Sequence, residues 1–291
     1  MTPSFFLIGA MKAGTTSVYR YLAQHPQIFL PKLKEPNFYW IDEHSKDCAP
    51  AAVLRESTVT REAYDALYDG AAPGQVCGEG SVKYLTSPLA ASRIAADRPD
   101  ACFVLILRDP AARAWSHYTF SHERGVDACS DFGRALEQEE ERLKLWAGYR
   151  YGYLRGGMYH RHLSVYDELF PRDRFCVQLY EDLTKDPHGV LRTIFEHLGV
   201  DPSFEPDMSI RHNVTGRATN PLVDRLVKIR RLRTAASNWI PPGLATWLGR
   251  TLRERPPGLK PEHRAWIIER CRTDVLRLQD RIDRDLSHWL R

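Results

Sequence analysis

The stretch Gly9-Ala10-Met11-Lys12-Ala13-Gly14-Thr15-Thr16 follows an apolar run, Phe5-Phe6-Leu7-Ile8, and leads into a segment with helical spacing. A buried strand ending in glycine, a loop of small residues and a helix opening with two threonines together make an anion site. Glycines permit the tight turn, and successive loop N–H groups converge as a concave nest. The helix N-terminus adds partial positive charge. Lys12 adds a full charge inside the loop, and Thr15 and Thr16 add hydroxyl donors. The glycine spacing is that of the nucleotide-kinase loop G-x-x-x-x-G-K-[ST], yet Thr15 stands where that pattern has lysine, and the lysine has moved back to position 12. A kinase lysine works beside a metal on the β- and γ-phosphates. No acidic strand suited to that metal is evident, since Asp109 lies between Arg108 and Pro110. The loop reads as a nucleotide-phosphate site of a different chemistry, and no metal ligands are assigned.

Outward from the loop, residues 4–9, 75–78, 102–107 and 175–180 are near-continuously apolar, as expected of parallel strands covered on both faces. Helical patterns separate them at 16–25, 131–146, 159–170 and 189–198, and a last long helix is expected within 261–291. Strands alternating with helices predict an α/β fold, a single domain over 1–291 with a central parallel sheet of about four to five strands flanked by helices. Residues 218–260 stand apart as a variable helical insertion or lid candidate. They hold the basic run Lys228-Ile229-Arg230-Arg231-Leu232-Arg233 and the tryptophans Trp239 and Trp247.

The bulk composition sets limits. The chain has 291 residues, 43% hydrophobic and 27% charged, with a net charge of +4. That is mildly basic, suited to an anionic ligand and short of a dedicated nucleic-acid binder. Six cysteines include no Cys-x-x-Cys pair, which argues against zinc and redox motifs. The apolar run at 5–8 is far short of the roughly 20 residues a membrane span needs, so a cytoplasmic protein is expected. Peripheral membrane association stays open, as does the choice between monomer and homodimer.

A second phosphate site is suggested by Leu105-Ile106-Leu107-Arg108-Asp109-Pro110. Arg108 falls at the carboxyl end of a predicted strand, where open α/β sheets bind ligands, and its planar fork suits a phosphate. Ser116 lies about two helical turns further on.

These segments resemble a known family. Phe6 to Ser17 resembles the 5'-phosphosulfate loop of sulfotransferases that use 3'-phosphoadenosine-5'-phosphosulfate (PAPS), in particular the heparan-sulfate N- and 3-O-sulfotransferases and their bacterial cousins. The resemblance implies a P-loop-kinase-like fold and a cofactor site in which Lys12, Ala13, Gly14, Thr15, Thr16 and Ser17 wrap the 5'-phosphate. Lys12 would also meet the leaving oxygen. It further implies that Arg108 and Ser116 hold the 3'-phosphate. Asn213-Val214-Thr215-Gly216-Arg217 resembles the family's late glycine–arginine loop, although Thr215 stands where relatives have lysine, so only Gly216 and Arg217 transfer to the nucleotide site.

Lys34-Glu35-Pro36-Asn37-Phe38 resembles the segment whose glutamate is the catalytic base, which maps to Glu35. Neighbouring Phe38, Tyr39 and Trp40 would raise its pKa, and Lys34 or Lys12 would oppose that. Gly78-Glu79-Gly80-Ser81-Val82-Lys83 resembles a further motif, but Gly80 stands where many relatives have lysine, which leaves that role absent or moved to Lys83. Glu79, Ser81, Lys83, Tyr39 and His117 are the remaining candidates for the acceptor side, with His44 and His117 as weaker bases. The implied acceptor is a small molecule or saccharide, bearing a hydroxyl or amine. A nucleotide or sugar kinase and an inactive nucleotide-binding scaffold are the alternative readings.

Overall fold

The computed structural model describes residues 2–41, 57–145, 148–209 and 258–291, with the backbone of two short strands at 217–218 and 253–254. β1 (Phe5–Gly9) runs into α1 (Thr15–Leu22) through the glycine-bounded loop. Then come β2 (Ile28–Phe29), α2 (Arg61–Asp65), β3 (Val76–Gly80), α3 (Pro88–Asp97), β4 (Cys102–Leu107) and α4 (Pro110–Glu123). After these follow α5 (Phe132–Glu137), α6 (Glu139–Leu143), α7 (Tyr159–Asp167), β5 (Phe175–Leu179), α8 (Tyr180–Lys185) and α9 (Pro187–Leu198). The paired strands β6 (Arg217–Ala218) and β7 (Arg253–Glu254) and the helix α10 (Pro261–Ile282) complete the described elements. No described helix is long and apolar enough to cross a membrane.

The main sheet has five strands in the order β2-β3-β1-β4-β5, all parallel. The expected α/β architecture is therefore the observed one. β1 and β4 are buried almost throughout, which explains their unbroken apolar sequences. Their pairing puts Gly9 beside Leu105, so the loop at 10–14 and Arg108 leave the sheet at the same edge. The chain crosses from one side of β1 to the other between β3 and β4. That reversal opens a crevice at the carboxyl ends of the strands.

The predicted elements need four adjustments. β2 was not read from the sequence. The strand predicted at 75–78 runs on to Gly80, which draws Glu79 into the interior. The strand predicted at 175–180 ends at Leu179, and Tyr180 opens a helix. The helix predicted at 131–146 is two helices meeting at Gln138.

Three of the helices begin with a side-chain cap followed by proline. Ser87 accepts from Ala90 N–H before Pro88, Asp109 from Ala112 N–H before Pro110, and Asp186 from Gly189 N–H before Pro187. Asp109 also holds Arg264 of α10 in a two-pronged pair at 2.8 and 3.1 Å, pinning the last long helix against the start of α4. The residues proposed as an insertion or lid at 218–260 lie outside the described residues, apart from Ala218, the backbone of β7 and residues 258–260.

Candidate active site

α1 opens differently from those three helices. Its N-cap is Gly14, at φ 87°, with no side chain capping the first turn. A left-handed backbone there favours glycine. An added Cβ would also sit 3.2 Å from Leu183 and Tyr180. The first-turn N–H groups of α1 thus have no side-chain acceptor, which leaves them available to an anion. Ala13 and Thr15 are buried, whereas Lys12, Thr16 and Ser17 are half-buried.

Arg108 joins this loop directly. One guanidinium nitrogen donates to the Lys12 carbonyl at 3.0 Å, and the guanidinium stacks on the Tyr180 ring at 4.6 Å. Behind it, the buried Tyr159 hydroxyl donates to the Arg108 carbonyl at 2.7 Å, fixing the strand end. The Lys12 ammonium lies 3.9 Å from the centroid of the Phe120 ring. Phe120 is one turn beyond Ser116 on α4, and Ser116 is half-buried. Burial, followed by the nearby Arg124 and Arg108 charges, lowers the Lys12 pKa to about 8, against an opposing pull from Glu123. Two cations therefore share one crevice with the open helix end. Phe120 and Tyr180, the rings that orient them, were not singled out in the sequence. The spacing of Phe120 four residues after Ser116 was the available signal.

Glu35 is held from the end of β3. Its own N–H donates to Gly80 O at 2.9 Å, and one carboxylate oxygen accepts from Val82 N–H at 3.0 Å. The other carboxylate oxygen pairs with Lys34. The ammonium that reaches Glu35 is thus Lys34. Lys83 lies under the Trp40 ring instead, 4.5 Å from its centroid. Gly80 leaves no room for a side chain, because a Cβ there would stand 2.6 Å from the buried Tyr19 ring.

Three residues expected at the acceptor lie deeper. Glu79 is fully buried and accepts from Ser81 Oγ at 2.5 Å and from the Tyr64 hydroxyl. Ser81 Oγ in turn accepts from Asn37 N–H at 3.1 Å. Glu79 and Ser81 therefore anchor the loop that carries Glu35. Tyr39, expected beside the acceptor, belongs to the core. It is 1% exposed, its hydroxyl donates to Asp97, and its ring packs on Phe6, Tyr64 and Tyr84.

Burial raises the Glu79 pKa from 4.5 to about 7, against the hydrogen bonds from Ser81, Tyr64 and Tyr84. Below pH 4.5 both folded and unfolded chains keep the proton, and there is no cost. Between pH 4.5 and about 7 the unfolded chain is ionised while the folded chain keeps the proton, so stability falls as pH rises, by roughly 3 kcal/mol in full, and levels off above 7. Glu79→Gln should therefore show a smaller loss between pH 5 and 8 in chemical denaturation. Parallel pH curves for the two proteins would contradict this.

Between the phosphate loop and α7 lies a cavity of about 400 Å³. Met11 and Val82 form one wall, and Arg113 and His117 of α4 form another. Lys83, Arg155, Arg161 and His162 also line it. Lys83 and His117, both predicted from the sequence, thus meet here with residues that were not. Glu35 adjoins the cavity through its bond to Val82. His44, Gly216 and the Arg217 side chain lie outside the described residues, as do Trp239 and Trp247.

Comparison with known proteins bears on this arrangement. The family model described as "Sulfotransferase family" matches residues 3–206. Heparan sulfate glucosamine 3-O-sulfotransferase 3B1 of Mus musculus is 26% identical over 200 residues, covering 68% of this chain and 46% of the mouse protein. The chain thus spans about half the length of the curated relatives it matches. A sulfotransferase from Alicyclobacillus acidocaldarius superposes with a TM-score of 0.74 at 28% identity, over 100% of both chains. The sulfotransferase domain from the curacin biosynthetic pathway shares the fold, with a TM-score of 0.53 at 18% identity, covering 98% of this chain and 99% of that one.

Proposed function

This chain belongs to the sulfotransferase family, and from that premise we propose that it transfers a sulfuryl group from PAPS to a hydroxyl or amine of a carbohydrate or other small-molecule acceptor. The observation that carries the reading is the tie between Arg108 and the Lys12 carbonyl, 3.0 Å long. It sets a second cation beside a phosphate loop whose helix end has no side-chain cap. A nucleotide with phosphates at two positions fits that pair, because one anion takes the loop and helix end and the other takes the guanidinium fork.

When bound, PAPS supplies the sulfuryl group and is left as adenosine 3',5'-bisphosphate. Ala13, Gly14, Thr15, Thr16 and Ser17 hold the 5'-phosphate through the loop and first-turn donors. Arg108 and Ser116 hold the 3'-phosphate, with Tyr180 keeping the guanidinium plane in place. Gly216 and Arg217 are assigned to the nucleotide by resemblance alone. Lys12 stands at the leaving oxygen, where negative charge develops as the bond breaks. Glu35 takes the acceptor proton, its carboxylate aimed by Lys34 and Val82. Lys34 balances its charge, so the base is held as an oriented ion pair. Catalysis is then mostly positioning and electrostatics, by analogy with phosphoryl transfer.

Purified protein incubated with sulfur-labelled PAPS and an extract of the producing cell should move label into an organic acceptor. A labelled product that depends on the protein supports the reading. Binding of adenosine 3',5'-bisphosphate with no label transferred to any acceptor would favour the inactive scaffold.

A further inference from the structure

The segment that carries Glu35 has an unusual backbone. Glu35 at φ 67° and Asn37 at φ 54° are both left-handed and flank Pro36. Such conformations are costly for residues other than glycine and persist where the surrounding structure fixes them from several sides. Glu35 itself is gripped twice, by Gly80 O on its N–H and by Val82 N–H on its carboxylate. The turn behind it is gripped twice more. Asn37 N–H donates to Ser81 Oγ at 3.1 Å, and Tyr39 N–H donates to the Tyr84 hydroxyl at 3.1 Å. The Asn37 side chain closes the turn by donating to the Glu35 carbonyl at 2.7 Å.

Both hydroxyls lead to one carboxylate. Ser81 Oγ donates to Glu79 at 2.5 Å, and the Tyr84 hydroxyl is hydrogen-bonded to Glu79 as well. A hydroxyl has one proton to donate and lone pairs to accept with. Each proton is directed at Glu79, so each oxygen presents a lone pair to a loop amide. Residues 37 and 39 therefore hang on Glu79 through two hydroxyl bridges. Glu79, Ser81, Tyr84 and Asn37 are all buried. In that setting such bonds are strong when made and costly when lost. Tyr84 is itself held from the far side, because its carbonyl accepts from the Tyr166 hydroxyl of α7 at 2.8 Å. An apolar side chain at position 79 would avoid the cost of burying an acid, yet it would leave both bridges without their acceptor.

Building on the sulfotransferase reading, we propose that Glu79 is a positioning residue for the base. Through the Ser81 and Tyr84 hydroxyls it holds the left-handed turn that aims the Glu35 carboxylate at the acceptor. Glu79 touches neither nucleotide nor acceptor, and it acts on the reaction only through Glu35.

Initial rates with sulfur-labelled PAPS and the acceptors of the cell extract, at varied PAPS, test this. Ser81→Ala and Tyr84→Phe each remove one bridge, and Glu79→Met removes the acceptor behind both. Each bridge variant should lower kcat by about 10-fold and Glu79→Met by about 100-fold, as expected when a reacting group is misplaced by up to about 1 Å. KM for PAPS should stay at the wild-type value, because the phosphate loop and Arg108 make no part of these bridges. In a Glu35→Gln background the same substitutions should change kcat by less than about 2-fold, since residues acting through one group are not additive. An equal loss in both backgrounds, a rise in KM for PAPS as large as the fall in kcat, or unchanged turnover in the bridge variants overturns the proposal. If Glu79→Met does not fold, the two bridge variants decide the matter. Absence of label transfer by the wild-type protein strikes the sulfotransferase reading and the proposal with it, whereas transfer indifferent to Ser81 and Tyr84 strikes the proposal alone.

Discussion

Lys12→Ala is expected to lower kcat by about 10²- to 10³-fold, the usual effect of removing one preorganised group from a developing negative charge. Lys12 sits at φ 70° between a buried strand and a helix end, so its backbone is fixed by the turn and its ammonium by the Phe120 face. A charge held in this way costs little to reorganise when the leaving oxygen becomes anionic. Adenosine 3',5'-bisphosphate should lose much less affinity than kcat loses, because the loop N–H groups and Arg108 remain. Equal losses in affinity and turnover would mean that Lys12 only binds nucleotide. The same placement sets a pH dependence. The ammonium is needed in its charged form and its pKa is lowered to about 8, so kcat/KM, which reports the free enzyme, falls as pH rises through that value. Substitution by arginine should move the fall to higher pH if it preserves activity.

The second large effect is Glu35→Gln, expected to reduce kcat by about 10²- to 10⁴-fold, the range of a positioned general base. Glutamine keeps the shape and can still accept from Val82 N–H, so the loop geometry survives. Unchanged nucleotide affinity and an unchanged unfolding transition should accompany the loss. A variant turning over at the wild-type rate would remove Glu35 from the reaction and turn attention to His117, whose Nδ1 is unpartnered.

Much of this arrangement is legible in the residues. The β1–loop–α1 unit is local, and its glycines and unbroken apolar run state its conformation within 20 residues of sequence. Arg108 is legible for the same reason, as the first charged residue after an apolar strand. β2 was not, because a two-residue strand is too short to express a period. Glu79 was assigned to the acceptor side, just beyond the predicted strand, because an acidic side chain argues against a strand interior. The hydroxyls of Tyr64, Ser81 and Tyr84, of which Tyr64 comes from an earlier helix, make that burial tolerable. Tyr39 was assigned to the acceptor side because it lies four residues after Glu35 in an aromatic run. Its burial depends on Phe6, Tyr64 and Tyr84 converging from three other segments. The cavity was the least legible feature, because its walls come from stretches lying between Met11 and Val165 that no spacing rule connects.

The central claim is that the phosphate loop and Arg108 form one site for a nucleotide with phosphate at both ends. Calorimetric titration with adenosine 3',5'-bisphosphate and with adenosine 5'-monophosphate tests it most directly. The bisphosphate should bind about 10- to 100-fold more tightly, the worth of charge-assisted hydrogen bonds to one further phosphate. Arg108→Ala should erase that difference and leave the monophosphate affinity nearly as it was. Equal affinity of the wild-type protein for the two nucleotides would contradict the claim, as would a bisphosphate preference that survives Arg108→Ala.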